Sequence, residues 1–376
     1  MKITKPVSGN TSVEHAAPRV IDLSTNDYLG LSRDRDVREA AIRAIAEQGV
    51  GGRTIRRTVE DDQFIDQLER AIASFEEAPG AIVTQSGYMA NTSLVPCVVG
   101  LNELFTYDAY AHPSIVDGGR LACANCVPFR HLDLDHLDQI LRRFRDTTTQ
   151  TQRAVIATDG VFGTDGEVAP LPDIVNLAHR YDATLIVDDA HATGVLGATG
   201  RGTTEHFGLS MTGLIKTGTL SKALGAAGGF IAAADDVRSL VLRKGHAILY
   251  STITPHATLA AALASLRKLQ AQTERIQRLR ENTAYLRQLL VAAGLTIGSG
   301  EAGIIAIFAK KPQDVSAAVS ELKRQRVIVR SVLPPRVHDE HACIRIMMSS
   351  ERTSGELDEA AAQICAAASV CGLLPG

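Results

Sequence analysis

The sequence predicts an α/β protein: a mostly parallel sheet between two layers of helices, with a smaller α+β unit towards the C-terminus. Three observations carry this. From Ala81 onward, short apolar runs alternate with stretches of helical spacing, as in sheets covered on both faces. The residues just past those runs are polar, and ligands of such sheets collect beyond the carboxyl ends of the strands. After residue 235 the texture changes to an alanine- and leucine-rich helical region followed by a strand–helix–strand–strand–helix pattern. A chain of 376 residues can hold a large core and a second, smaller one. The expected division is an N-terminal arm and small-domain segment (1–45), a large domain (46–240) and a C-terminal small domain with its connecting helix (241–376).

Taken in order, residues 1 to about 20 read as a polar arm, and residues 21–31 as a short strand running into a turn. Val37, Ala41, Ile42 and Ile45 give helical spacing over 36–48, stopping at Gly49. A glycine-rich loop, 49–53, is followed by Arg56-Arg57 and a helix over 64–75 with Leu68, Ile72 and Phe75 on one face. Buried strands are expected at 81–84, 104–107, 154–157 and 184–187, with helices at 89–99, 134–144 and 171–181 between them. In the C-terminal part a helical region spans roughly 256–294. It precedes strands at 304–308, 327–330 and 344–347 and helices at 315–324 and 356–367.

Composition excludes several classes. A formal charge of −3 with mixed charge patterning gives no basis for binding nucleic acid or an anionic membrane. No apolar run approaches the roughly 20 residues that span a bilayer, and the N-terminus lacks a secretory core, so a cytoplasmic protein is expected. Six cysteines do not form a disulfide framework at this length. Cys123 and Cys126 match a CxxC spacing, but no second pair completes a zinc site, and no metal is expected.

The most informative stretch is 217–229, where Lys222 sits among hydroxyls and glycines after the apolar Leu214-Ile215. An amine in such surroundings loses solvation and becomes a usable nucleophile. Thr217, Thr219 and Ser221, with exposed backbone amides, suit a phosphate beside it. A nucleophilic lysine next to a phosphate cradle suggests pyridoxal phosphate (PLP). This stretch alone fits equally well a lysine with a buried stem and a solvated head. Val187-Asp188-Asp189-Ala190-His191 ends a strand with two acids pointing to opposite faces and a histidine three residues on. One acid can keep a pyridine nitrogen protonated, although an ordinary strand-end acid with a surface histidine reads the same way, and a metal site would need further ligands. Ser86-Gly87-Tyr88 opens a helix whose N-terminus favours phosphate. His112 follows another strand and could stack on a planar ring or be structural.

These segments occur in a recognisable order: Asn26-Asp27-Tyr28-Leu29-Gly30-Leu31, Ser86-Gly87-Tyr88-Met89-Ala90-Asn91, Ala111-His112-Pro113-Ser114, then 159–167, 187–197 and Thr219-Leu220-Ser221-Lys222. The series, from about residue 20 to the C-terminus, resembles the α-oxoamine synthases, a PLP-dependent family of the fold-type-I aminotransferase superfamily. The resemblance implies a seven-stranded-type sheet and makes Lys222 the lysine that carries the cofactor. It pairs Asp188 with the pyridine nitrogen and His191 with the ring's phenolic oxygen, and stacks His112 on the ring. Ser86, Gly87, Tyr88 and Thr219 fall by the phosphate, and Asp159 and Ser221 complete the cofactor set. Ser251 and Thr252 reach the phosphate of a neighbouring subunit, implying a homodimer with its active site at the interface. Arg345 grips an amino-acid carboxylate, with Asn26 close by.

The expected reaction joins a small amino acid to an acyl thioester, on coenzyme A or a carrier, with decarboxylation to an α-amino ketone. Another fold-type-I reaction, such as transamination or β-elimination, shares the same first proton abstraction, and a non-catalytic PLP-binding homologue is a third reading. By their charge alone, Arg53, Arg56 and Arg57 could meet the donor's phosphates. Three departures from the family pattern stand out. Gly163 replaces the usual serine, residues 56–64 lack the usual histidine and are slightly longer, and Arg352 stands where histidine is common.

Overall fold

The computed structural model describes residues 20–58, 62–122, 125–147 and 152–373. Twelve strands are defined: β1 Ile21–Asp22, β2 Gly80–Thr84, β3 Leu104–Asp108, β4 Asn125–Phe129, β5 Ala154–Asp159, β6 Ala183–Asp188, β7 Leu214–Thr219, β8 Gly229–Ala233, β9 Ile304–Phe308, β10 Val327–Ile328, β11 Arg330–Val332 and β12 Cys343–Met347. Seven of them form one sheet in the order β2-β8-β7-β6-β5-β3-β4. All run parallel except β8, which is antiparallel to both β2 and β7.

The central strands are apolar on both faces because both are covered. Ala154 and Ile156 of β5 enter one core while Val155 and Ala157 enter the other, and Leu185 and Ile186 of β6 divide the same way. Helices Gly87–Val98 and Pro113–Leu121 lie against one face; Gln63–Glu76, Leu134–Thr147 and Leu171–Arg180 bury apolar stripes against the other. A three-stranded antiparallel sheet, β11-β12-β9, belongs to the C-terminal unit, with helices Glu274–Ala292, Pro312–Arg324 and Ser354–Val370. The strand β1 joins that unit by pairing parallel with β10.

The expected elements are present, with differences. β4 and β8 escaped the sequence pattern, as did helices Pro113–Leu121 and Asp235–Lys244, and β7 showed only as the apolar Leu214-Ile215. β4 is an edge strand carrying Pro128 and is mostly accessible, so it lacks an apolar signal. β8 opens on glycine, inside a segment that otherwise reads as a loop. The helical region 256–294 is two helices, His256–Ala271 and Glu274–Ala292, with the break at Gln272-Thr273. The expected strand 327–330 is split between two sheets at Val329. The N-terminal arm, and Cys123 of the CxxC pair, lie outside the described residues. Among the described residues, no helix is long and apolar enough to cross a membrane.

The parallel strands aim their carboxyl ends at one edge, and β8 brings its amino end there. Gly229 is paired with both Thr84 and Thr219. A Cβ on Gly229 would overlap the backbone of Ser86 and Gly87, so glycine is what lets β8 run against the start of the next helix.

Candidate active site

The site is built on the ends of β2, β3, β5, β6 and β7. Asp159 and Asp188 are register partners on adjacent strands, so their carboxyl groups share one face. Burial and the neighbouring Asp188 push the Asp159 carboxyl well above the usual carboxylate range, and it accepts a hydrogen bond from the His112 amide at 3.1 Å. Asp188 is fixed by Asn91, whose Nδ2 donates to Oδ2 at 2.6 Å, and by the Ala190 amide on Oδ1 at 2.9 Å. Asn91 is itself held by Thr217, which donates to its Oδ1 at 2.8 Å. Asp189 points the other way, into a buried cluster with Thr203 and Lys216. The two acids therefore part as strand geometry requires.

Lys222 follows β7 and is half-buried. Burial, with Arg345 and Arg336 acting alongside it, lowers its pKa to about 8 against the pull of Asp188 and Asp159. His112 caps helix Pro113–Leu121, with Nδ1 2.7 Å from Ser114 Oγ. Burial and the Lys222 and Arg336 cations press its pKa down. His191 is pressed down further by burial and by Lys222, Arg345 and His112. Arg345, in the middle strand β12, donates from Nη1 to the Gly163 carbonyl at 2.6 Å, while its Nε is buried without a partner. Asn26 Oδ1 is likewise buried and unpartnered. Arg345 and Arg336 repel each other near Lys222, which an anion bound between them would relieve.

The remaining expected residues cluster at the β2 and β7 ends. Ser86 caps helix Gly87–Val98 by accepting from the Met89 amide at 3.1 Å. A Cβ on Gly87 would stand 3.3 Å from the Gly218 carbonyl oxygen and from Thr219 Cβ, so helix start and strand end form one close-walled cradle. Thr219 Oγ1 bonds Ser221 Oγ at 2.7 Å and the Gly228 carbonyl at 2.9 Å. Tyr88 is largely exposed, bonds Asp117, and meets the His112 ring edge-on at 6.0 Å. Ser251 and Thr252 lie on the outer side of this corner, where the Thr252 carbonyl accepts from Gln85 and the Ser251 carbonyl from the Arg56 amide at 3.2 Å.

This donor set suits PLP. There is an amine with a lowered pKa, a hydrogen-bonded acid for a ring nitrogen, and a helix N-terminus closed by glycine for a phosphate. Each of the three basic residues expected at the donor's phosphates already has a partner within the chain. Arg56 is engaged by the buried Glu69 at 2.9 Å, Arg57 reaches the Tyr250 hydroxyl at 3.1 Å, and Arg53 reaches Gln48 at 3.4 Å. Arg352 pairs with Glu356 at 3.1 Å in the first turn of the last helix.

Two positioning side chains carried no role in the sequence reading. Asn91 and Tyr28 appear there only as motif letters, because their partners lie 97 and 163 residues away. Asn91→Ala leaves the Asp188 carboxylate short of a charge-assisted bond in a buried site. It is expected to weaken PLP binding by about 10- to 100-fold, read by titrating cofactor into apoprotein.

Behind the site, His131 bridges Asp108 (Nδ1, 2.8 Å) and Glu167 (Nε2, 3.2 Å) and stacks on Tyr110 at 4.3 Å. His131, Asp165 and Glu167 come close enough to share a cation, but both imidazole nitrogens are engaged by these carboxylates. Against burial, which works the other way, the two bonds raise the His131 pKa to about 9. The folded state therefore binds this proton more tightly than the unfolded chain. The stabilisation is complete below about pH 6.5 and is lost as pH rises through 9, with a span of about 3 kcal/mol. Urea midpoints measured from pH 6 to 9.5 are expected to fall across that window in the wild type and to flatten in His131→Gln.

The chain matches the aminotransferase class I and II family over residues 18–364. It is 39% identical over 357 residues to 8-amino-7-oxononanoate synthase 1 of Bacillus velezensis, covering 95% of this chain and 90% of that protein. Among solved structures, a serine palmitoyltransferase with PLP superposes with a TM-score of 0.90 at 28% identity, covering 94% of this chain and 89% of the other. The 8-amino-7-oxononanoate synthase of Francisella tularensis gives 0.80 at 27%, covering 93% and 98%. A sequence match over nearly the whole chain, on a fold shared with both enzymes, places this protein in the aminotransferase class I and II family, among its PLP-dependent α-oxoamine synthases.

Proposed function

We propose that this chain joins alanine to a seven-carbon ω-carboxyacyl thioester, working as a homodimer in the cytoplasm. The reaction class is that of the α-oxoamine synthases: PLP-dependent condensation of a small amino acid with an acyl thioester, with loss of CO2, to an α-amino ketone. The finer reading rests on the product named in the relatives, 8-amino-7-oxononanoate. In that nine-carbon acid the new bond joins the ketone carbon C7 to the amine carbon C8. Carbons 1 to 7 are then a dicarboxylic acyl unit. Carbons 8 and 9 are what alanine leaves once its carboxylate has gone.

The observation that carries the mechanism is the half-buried Lys222 amine, held at about 8 between the acids and Arg345. When bound, PLP supplies an electron sink for negative charge at the amino-acid Cα. Asp188, oriented by Asn91, would hold the proton on the cofactor's ring nitrogen. Arg345, whose Nε is a buried donor without a partner, would take the substrate carboxylate, with the Asn26 amide NH2 as a second donor beside it. Lys222 removes the Cα proton, and near neutral pH its pKa leaves a useful fraction of free amine. His112, held at the start of helix Pro113–Leu121, would cover the bound ring and exclude water. Cα then attacks the thioester carbonyl, the C–S bond breaks, and the thiolate departs and takes a proton from solvent. Loss of CO2 leaves a carbanion that is reprotonated from Lys222.

Purified holoenzyme incubated with alanine, glycine or serine against a panel of acyl-CoAs tests this. Thiol release is expected to be fastest with alanine and pimeloyl-CoA and to require both. Preference for serine with a long-chain acyl-CoA would instead align the chain with serine palmitoyltransferase, its neighbour at TM-score 0.90. Keto-acid formation without any thioester would overturn acyl transfer itself.

A further inference from the structure

His191 is held from two sides. Its Nδ1 lies 2.8 Å from the hydroxyl of Tyr28, a side chain only 1% exposed. Its Nε2 faces Gly163, where any Cβ would overlap that nitrogen. Both clamps are anchored. The Tyr28 carbonyl accepts from the Ser350 amide at 2.8 Å, and a side chain at Gly303 would crowd the Tyr28 ring at 3.1 Å. The Gly163 carbonyl is fixed by Arg345. The imidazole therefore has little freedom to turn, and what remains to be settled is which nitrogen carries its proton.

We propose that the Tyr28 hydroxyl donates to Nδ1 of a neutral His191, which makes Tyr28 the positioning residue that fixes the imidazole as its Nε2–H tautomer and presents that N–H to an oxygen of the bound cofactor or substrate. The assignment follows from counting protons. A neutral phenol has one hydrogen, and Tyr28 makes no other side-chain hydrogen bond among the described residues. Were His191 to donate from Nδ1, the phenolic hydrogen would be buried without an acceptor, a loss of about 10- to 100-fold in population. Burial raises the Tyr28 pKa, so the phenol keeps its proton. Burial and the surrounding Lys222, Arg345, His112 and Arg336 hold His191 neutral, so a donor at Nε2 requires an acceptor at Nδ1. Gly163 gives that N–H its room: the position carrying serine in the family pattern is here the space of the imidazole edge.

The assignment deepens the reading of His191 as a cofactor contact but is tested apart from it. Nitrogen NMR of 15N-histidine-labelled protein, as holoenzyme and as apoprotein, separates the two tautomers; the His191 signals are identified by their loss in His191→Asn. In the wild type, Nε2 is expected to be protonated and Nδ1 to be a hydrogen-bonded acceptor. In Tyr28→Phe both tautomers are expected, with kcat about tenfold lower and the KM for the amino acid unchanged. A wild-type proton on Nδ1 overturns the proposal, as does a Tyr28→Phe variant with an unaltered tautomer. The wild-type spectrum decides alone if the variant does not fold, and the apoprotein spectrum stands even if acyl transfer is never observed.

Discussion

Replacement of Lys222 by alanine is expected to lower kcat by about 10⁴-fold or more and to abolish covalent attachment of the cofactor while leaving the fold intact. The effect is large because one amine performs two tasks. It is the nucleophile that takes the cofactor's aldehyde and, once freed, the base at the amino-acid Cα. A positioned acid or base alone contributes about 10²- to 10⁴-fold, and loss of the attachment point adds to this. Its lowered pKa of about 8 makes both tasks workable near neutrality. The fold should survive because Lys222 follows β7 in a loop and makes no ion pair among the described residues. The measurements are single-turnover thiol release, borohydride fixation of PLP followed by mass spectrometry, and a thermal melt. A covalently fixed adduct persisting in Lys222→Ala would remove the lysine from its assigned role. Exogenous methylamine is expected to restore part of the proton transfer without restoring the attachment.

Much of this was legible in the sequence, for a physical reason. In a parallel sheet the chemistry sits just past strand ends, so polar letters after apolar runs mark the site directly. Asp188, Lys222, His112 and Ser86 stand out that way as candidates, and the expected parting of Asp188 and Asp189 to opposite faces is what the structure shows. What stayed hidden is whatever depends on pairing across the chain. Asn91 reads as one more helix residue until β6 is laid beside helix Gly87–Val98. Tyr28 reads as part of a short turn until β1 is drawn onto β10 and its hydroxyl meets His191. Arg56 reads as a free cation until Glu69, thirteen residues on, is found buried against it. β4 was missed because an accessible edge strand with a proline carries no apolar alternation, and the break at Gln272-Thr273 because neither residue is a strong helix breaker.

Lys216→Met is expected to destabilise the protein by about 3–5 kcal/mol, the largest stability effect foreseen for a residue outside the site. Lys216 is fully buried on the face of β7 turned away from Lys222, with Nζ 2.6 Å from Glu76 Oε2, 3.0 Å from Asp189 Oδ2 and 3.2 Å from Thr204 Oγ1. Burial works against its charge, but Asp189 and Glu76 outweigh that and raise its pKa, so it enters the core as a cation. Methionine fills the volume but leaves two carboxylates, both essentially inaccessible, facing each other without a counter-ion. Even beside the lysine, burial holds Glu76 at about 6; without it one carboxylate must fold protonated. The sign of the pH dependence follows. The variant's folded state binds a proton that the unfolded chain releases above about pH 4.5, so its deficit should grow as pH rises from 5 to 8. Urea unfolding at pH 5, 6.5 and 8 measures this, and a deficit independent of pH would mean that the cluster is not held by charge. The triple variant Lys216→Met, Glu76→Gln, Asp189→Asn supplies the control. Its members touch one another, so their effects should be far from additive, and it is expected to recover a substantial part of the loss. Because Asp189 directly follows Asp188, the same series tests whether this buried charge cluster sets the active-site carboxylate. Cofactor affinity should drop in Lys216→Met and return in the triple variant if the strand end moves with the cluster, and stay constant in both if it does not.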